Sequence, residues 1–323
     1  MAVGFALLIF RMILRDRPTG LRLFLLLRGS ILPRIRPTLL LNTLISVLVT
    51  VMHGNLFTLK ITLTAIPFTL IGLPLAIFLG FRNTAAYDRY WEGRKLWGDI
   101  LLRCRNLARQ TESLILPCSP DEAAEVAELR KRLMYRVIAF IHASRLLLRD
   151  LKDASELERW LPAADWPKVA AAQHKPEAIM RGLGQELSVC LKRGWLHSNL
   201  AAVLDANLSG ISAASASCER IKSTPVPFSY TLLLHRTAYL YCFMLPFGLV
   251  DVTGFMTPIV VVLVAYTFYG LDALGDEIEE PFGLEPNDLP LDAICRAIEI
   301  NVLEALDTPE LPPRLLPHNF QLT

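Results

Sequence analysis

The stretch that decides the fold is ITLTAIPFTLIGLPLAIFLGFRNTAAYDRYWEGRKLWG, residues 61–98. Its first twenty-one positions, Ile61 to Phe81, carry no charge. At ~1.5 Å rise per residue, that is enough to cross a hydrocarbon core ~30 Å thick. The remainder, Arg82 to Gly98, is dense in arginine and aromatic residues. An apolar span therefore runs straight into a basic interfacial segment, and the pattern predicts one long helix. Two stripes share the apolar part. Leu73, Ile77 and Phe81 recur every four residues on one face, and Gly72, Ala76 and Gly80 recur every four on the neighbouring face. The first stripe can line a pore or face lipid or another helix. The second is a small-xxx-small pattern, which lets another helix approach closely. Pro74 lies inside this stretch, beside Leu73, removes a backbone donor and predicts a kink there.

The whole chain fits a membrane setting. Of its 323 residues 53% are hydrophobic and 20% charged, with a positive mean hydropathy. That is too apolar for an ordinary soluble protein, yet the charged stretches leave room for a sizeable aqueous part. A formal net charge of +2 gives no nucleic-acid signal. The six cysteines (104, 118, 190, 218, 242, 295) are scattered without a CxxC pair, so neither a disulfide framework nor a zinc site is expected. Met1 to Phe10 is apolar but lacks the basic flank and cleavage site of a secretory signal.

Residues 1–36 hold seven arginines and no lysine. They read equally as an interfacial helix on an anionic leaflet or as a plain positive-inside flank, and both put the N-terminus in the cytoplasm. Pro37 to Leu59 has no formal charge and contains the first span, with HGNLFTLK as a short outer loop. After the second span, Arg82, Arg89, Arg94, Lys95, Arg103 and Arg105 return the chain to the cytoplasm. Ser119-Pro120-Asp121-Glu122 marks a helix start, and Val126, Leu129, Leu133, Val137, Phe140 and Ile141 give the following segment helical periodicity. Residues 150–176 are broken by Pro162, Pro167 and Pro176 into short pieces, and 179–221 reads as helix interrupted near Gly194. Leu232 to Val250 and Phe255 to Leu271 are the third and fourth spans, joined by a tight turn at Asp251–Gly254. His235 and Arg236 sit near the start of the third, at the interface or snorkelling to it.

Nothing in the chain points to catalysis. There is no GxSxG, HExxH or Walker A sequence, and the six histidines are isolated. No enzyme, cofactor or metal is expected. The acidic run Asp276–Glu280 lacks the alternating ligands of an EF-hand loop and reads as a solvated helix end. Trp91 and Trp97 read as an aromatic belt or packing cluster.

Three segments resemble the bestrophins. IFLGFRNTAAYDRYWEGRKLWG (77–98) is similar to their second-span signature. LPFGLVDVTGFMTPIVVVLVAYTFYGLDALGDEIEEPFGLEPNDLPL (245–291) resembles their last two spans and the segment beyond. CERIKSTPVPFSYTLLLHRT (218–237) looks like the approach to their third span. The resemblance runs from about Met12 to about residue 306, which makes Met12 the expected natural start. It implies an all-α integral membrane protein with four transmembrane helices per subunit and an α-helical cytoplasmic portion, assembled as a homopentamer around a central pore. It places three apolar neck rings on Leu73, Ile77 and Phe81, with Gly72, Ala76 and Gly80 at a helix contact. A second, cytoplasmic aperture falls on Asn199, with Leu200 adjacent. Asn199 departs from the aliphatic residue usual there, and no carboxylate flanks it. After Pro281-Phe282-Gly283 only Glu285 and Asp288 are acidic, which counts against the calcium gating of animal members.

The expected organisation is then a basic cytoplasmic segment over 1–36, transmembrane helices 1 and 2 with the neck over 37–96, and a cytoplasmic helical portion over 97–225. Transmembrane helices 3 and 4 follow over 226–274, then a cytoplasmic tail over 275–323. The resemblance leans to passive sodium or other cation conduction across a bacterial inner membrane. The alternatives are a chloride channel like the animal branch or a non-conducting membrane scaffold. Membrane lipids and small monovalent ions are the expected partners besides the chain's own copies.

Overall fold

The computed structural model describes residues 12–13, 29–52, 55–56, 59–60, 64–317 and 321–322. Most of the basic segment expected over 1–36 therefore lies outside the described residues. Helices dominate: α1 (Leu32–Val51), α2 (Ala65–Leu114), α3 (Ala123–Leu148), α4 (Trp166–Ala171), α5 (Lys175–Arg193), α6 (Ser198–Ser223), α7 (Phe228–Thr253), α8 (Thr257–Glu279) and α9 (Leu291–Ala305). The extended backbone described is limited to two-residue pieces. Strands β1 (Met12–Ile13) and β4 (Gln321–Leu322) pair antiparallel, as do β2 (Asn55–Leu56) and β3 (Leu59–Lys60) within the short connection after α1.

Three helical stretches among the described residues are long and apolar enough to cross a membrane: Leu32–Val51, Ala65–Leu114 and Phe228–Glu279. The first begins five residues before the expected Pro37 and stops at Val51. Pro33 sits in its first turn, where a missing N–H costs nothing, so Arg34 and Arg36 are carried on the helix. The last comprises α7 and α8, separated by one 3-10 turn at Gly254–Met256. Gly254 has φ +54°, a conformation that favours glycine.

The chain divides into two compact units. One draws on Arg15–Tyr90 and Pro225–Pro281, the other on Met1–Leu14, Trp91–Thr224 and Phe282–Thr323. In the first, α1 packs on α8, and Ile35, Cys242, Ala265, Tyr269 and Ala273 form one buried cluster. The first part of α2 packs against α7 through Leu75, Leu234 and Ala238, and against α7 and α8 through Phe68, Leu245 and Val261. Leu40, Leu44, Leu48, Leu240, Ile259 and Leu263 remain exposed. So much exposed leucine and isoleucine on helices of this length marks surfaces made for lipid or for other copies.

The second unit is built around α3, whose stretch Ile138–Ser144 is buried at every position. α3 has neighbours on several sides, including α5, α6 and α9. Arginines on α3 and at its C-terminal cap hold α5 and α9: Arg136 meets Glu186 at 3.4 Å and also Asp165 at 2.5 Å, and Arg149 meets Asp292 at 2.7 Å. Burial opposes the charge on Glu299, but His142, Arg296 and Arg159 around it outweigh burial and hold its carboxyl below the usual range. All six cysteines are free thiols and all but Cys118 are buried; burial pushes Cys190 up to about 11 and Cys218 up to about 12. The helix start after Ser119, the short pieces over 150–176 and the break at Gly194 all fall where the sequence puts them.

Helix α2 lies close against α7 because Gly248 has no side chain: a Cβ there would come within 2.1 Å of the Phe68 ring. Gly248→Val should therefore lower stability by about 1–3 kcal/mol. The check is thermal unfolding of the detergent-solubilised protein, and Phe68→Ala in the same chain should recover part of the loss.

Candidate functional site

Helix α2 runs unbroken for 50 residues through Pro74, so apolar span and basic segment share one continuous helix. Its first part has a clear inside. Phe68, Leu75, Leu79, Arg82 and Ala86 are all buried, at spacings of seven, four, three and four. At about 100° per residue, Leu73, Ile77 and Phe81 lie roughly 170° from that face. They are exposed by 67%, 47% and 63% respectively. The structure thus puts the three predicted neck residues together on the free side of α2.

The small-residue stripe divides. Gly72 is used within the chain: a Cβ there would lie 2.8 Å from the Tyr241 hydroxyl of α7. Ala76 and Gly80 are exposed, and a Cβ at Gly80 would meet nothing within 4 Å. The helix contact expected at all three is therefore made inside the chain only at Gly72. The predicted aperture residues sit in the second unit at the start of α6. Asn199 and Leu200 are both exposed there, beneath a His197 cap whose Nδ1 accepts from the Asn199 N–H at 3.3 Å. Asp288 is 3% exposed, and its carboxylate accepts from the Glu285 N–H at 2.7 Å. That bond closes its own turn, a structural use for one of the two acidic residues after Pro281-Phe282-Gly283.

Sequence reading missed what fixes α2 in place. Arg82 is fully buried. It donates to Asp272 Oδ1 of α8 at 2.8 Å, bonds Asp276, and lies 3.7 Å from Glu279. Asp272 also meets His235 Nδ1 of α7 at 2.7 Å. Glu279 accepts the Val226 N–H just before α7 at 2.9 Å, and its carbonyl accepts from Arg89 Nε at 2.9 Å. The acidic run expected as a solvated helix end is corrected here: Glu277 and Glu279 are 5% and 9% exposed. Arg82 draws Glu279 inward, 3.7 Å away, and bonds Asp276, while Glu280 stays exposed. Gly275 lets the two helices meet, since a Cβ there would lie 2.3 Å from Asn83 Oδ1. The available signal was Arg82 at the end of one apolar span and Asp272 at the end of another, with His235 near the start of a third.

These features define an all-helical integral membrane protein, with one unit of long apolar helices and a second helical unit braced by arginine–carboxylate pairs. The chain belongs to the bacterial/fungal bestrophin family, which it matches over residues 12–304. It is 44% identical over 315 residues to the voltage-dependent anion channel-forming protein YneE of Escherichia coli K12, covering 97% of this chain and all of that one. A voltage-dependent anion channel-forming protein of Mesorhizobium japonicum is 43% identical, covering 95% of each. The crystal structure of a bacterial bestrophin homologue from Klebsiella pneumoniae matches with a TM-score of 0.79 at 38% identity, over 85% of this chain and all of that one.

Removing Arg82 would leave its carboxylates facing each other without a counter-charge. Arg82→Ala should cost about 3–5 kcal/mol, as for breaking a buried ion pair from one side. Thermal unfolding in detergent is the readout. Arg82→Ala combined with Asp272→Asn should lose less than the two single changes added together.

Proposed function

We propose that this chain forms a passive channel for small monovalent ions, assembled as a homopentamer, with the exposed stripe of α2 lining its neck. The observation that carries the proposal is the placement of Leu73, Ile77 and Phe81 on the free face of a membrane-length helix, opposite its buried face. Family membership supports the same reading. One four-span chain cannot enclose a pore with a single α2; a closed ring of copies can, each contributing the same stripe. The exposed Ala76 and Gly80 then offer each copy a close contact with the next.

α7 and α8, at 26 and 23 residues, are each long enough to cross a bilayer. With α1 and the first part of α2 they make four crossings. Both termini then lie on the inner side of a bacterial cell membrane, and the second unit lies in the cytoplasm, with a further narrowing at Asn199 and Leu200. No covalent chemistry is involved. The membrane potential drives flow, at ~2.3 kcal/mol per charge per 100 mV. Narrow apolar rings hold water poorly and a bare ion worse, so the neck sets conductance and can close by dewetting.

The apolar rings carry no charge and do not select its sign. The curated relatives are named for anion channels, which favours anions over the sodium expected from the sequence.

Leu73→Ala, Ile77→Ala and Phe81→Ala should each widen the neck and raise single-channel conductance in reconstituted bilayers. Unchanged currents in all three would remove the pore assignment. Reversal potentials under asymmetric NaCl give the sign of the permeant ion directly.

A further inference from the structure

Phe81 is the last apolar member of the exposed stripe, so the residues after it on the same face decide what an ion meets on leaving the neck. At about 100° per residue, Thr84 and Asp88 continue the line of Leu73, Ile77 and Phe81. Both are exposed. The Thr84 hydroxyl turns back on its own helix and donates to the Gly80 carbonyl at 3.0 Å. Asp88 is therefore the first charge on the stripe, and it makes no ion pair among the described residues.

Of the basic residues nearest in sequence, Arg82 and Arg89 do not mask it, and Arg94 and Lys95, further along α2, lie over the Trp91 ring at 5.1 and 5.8 Å. Arg82 is buried against Asp272, Asp276 and Glu279. Arg89 Nε is engaged with the Glu279 carbonyl at 2.9 Å. The sequence after the span looks positive, but at this level its arginines are turned inward and a carboxylate is left on the free face.

We infer that Asp88 is a charge-selecting residue of this channel, a reading that rests on the pore assignment of Leu73, Ile77 and Phe81. In a closed ring of copies, Asp88 repeats as a ring of carboxylates about two turns past the Phe81 ring. The low-dielectric neck beside it focuses that field. The ring concentrates hydrated monovalent cations at the neck's inner end and opposes anions there. It acts through its potential and needs no cage of ligands. Whatever the overall preference of the channel, Asp88 raises the cation share.

The test uses the full chain reconstituted in planar bilayers under asymmetric NaCl. Wild type is compared with Asp88→Asn, Asp88→Lys, Asp88→Glu and the neck variant Phe81→Ala. Asp88→Asn should lower the cation-to-anion permeability ratio by about threefold or more, Asp88→Lys should lower it further, and Asp88→Glu should keep it near wild type. The asparagine effect should shrink as ionic strength rises and the Debye length falls from ~10 Å towards ~3 Å. Asparagine is isosteric at an exposed site, so that variant decides the matter even where the lysine variant fails to assemble. An unchanged ratio in Asp88→Asn, with conductance altered in Phe81→Ala, would overturn the role of Asp88 and leave the pore reading standing. No change in either variant would overturn both.

Discussion

The membrane unit depends on one buried guanidinium. Arg82 has no exposed surface and meets Asp272 and Asp276 directly, with Glu279 close by. A charge taken out of water must be matched, and a partial match is costly, so the pairing tolerates little rotation of α2 about its axis. Phe81 is the next residue along, about 100° around the helix. Fixing Arg82 inward therefore fixes Phe81 outward, and with it Ile77 and Leu73 on the preceding turns. The apolar stripe is exposed because a polar residue beside it is held inside.

The same cluster joins three helices at one end of their apolar stretches. Asp272 takes Arg82 from α2 and His235 from α7. Glu279 takes the backbone N–H at the start of α7, while its carbonyl takes Arg89. Hydrogen bonds at the end of a helix satisfy carbonyls that have no partner within it. Within the cluster Gly275 admits Asn83, and further along α2 the contacts are apolar and close, with Gly248 admitting Phe68. Polar pairing at one end and small-residue packing along the length divide the task of holding α2.

Much of this is legible in the sequence, and the limits have physical causes. The length of α2 shows because no charge interrupts residues 61–81 and no turn signal follows. Its stripe shows because a four-residue recurrence survives without knowledge of neighbours. α1 begins five residues before the uncharged stretch at Pro37 and carries Arg34 and Arg36, because charge can end a span without ending a helix. The acidic end of α8 misleads more seriously. A run of carboxylates read alone looks solvated, and a partner 194 residues before Asp276 in the chain is what draws part of it inward. The use of Gly72 against Tyr241 is invisible for the same reason: a small-residue stripe announces a close contact but not which helix makes it. Asp88 belongs to the same lesson, since the sequence surrounds it with arginines that the fold turns away.

The central claim is that the free face of α2 points toward an axis shared by several copies. Pulsed electron spin resonance on a nitroxide at Ile77→Cys, with exposed Cys118 replaced, measures this most directly. A ring of five predicts two distances between labels in a ratio of about 1.6, both shorter than those from a label at Ile259→Cys on the exposed side of α8. Distances at Ile77 equal to or longer than those at Ile259, or no dipolar coupling at Ile77, would contradict the account.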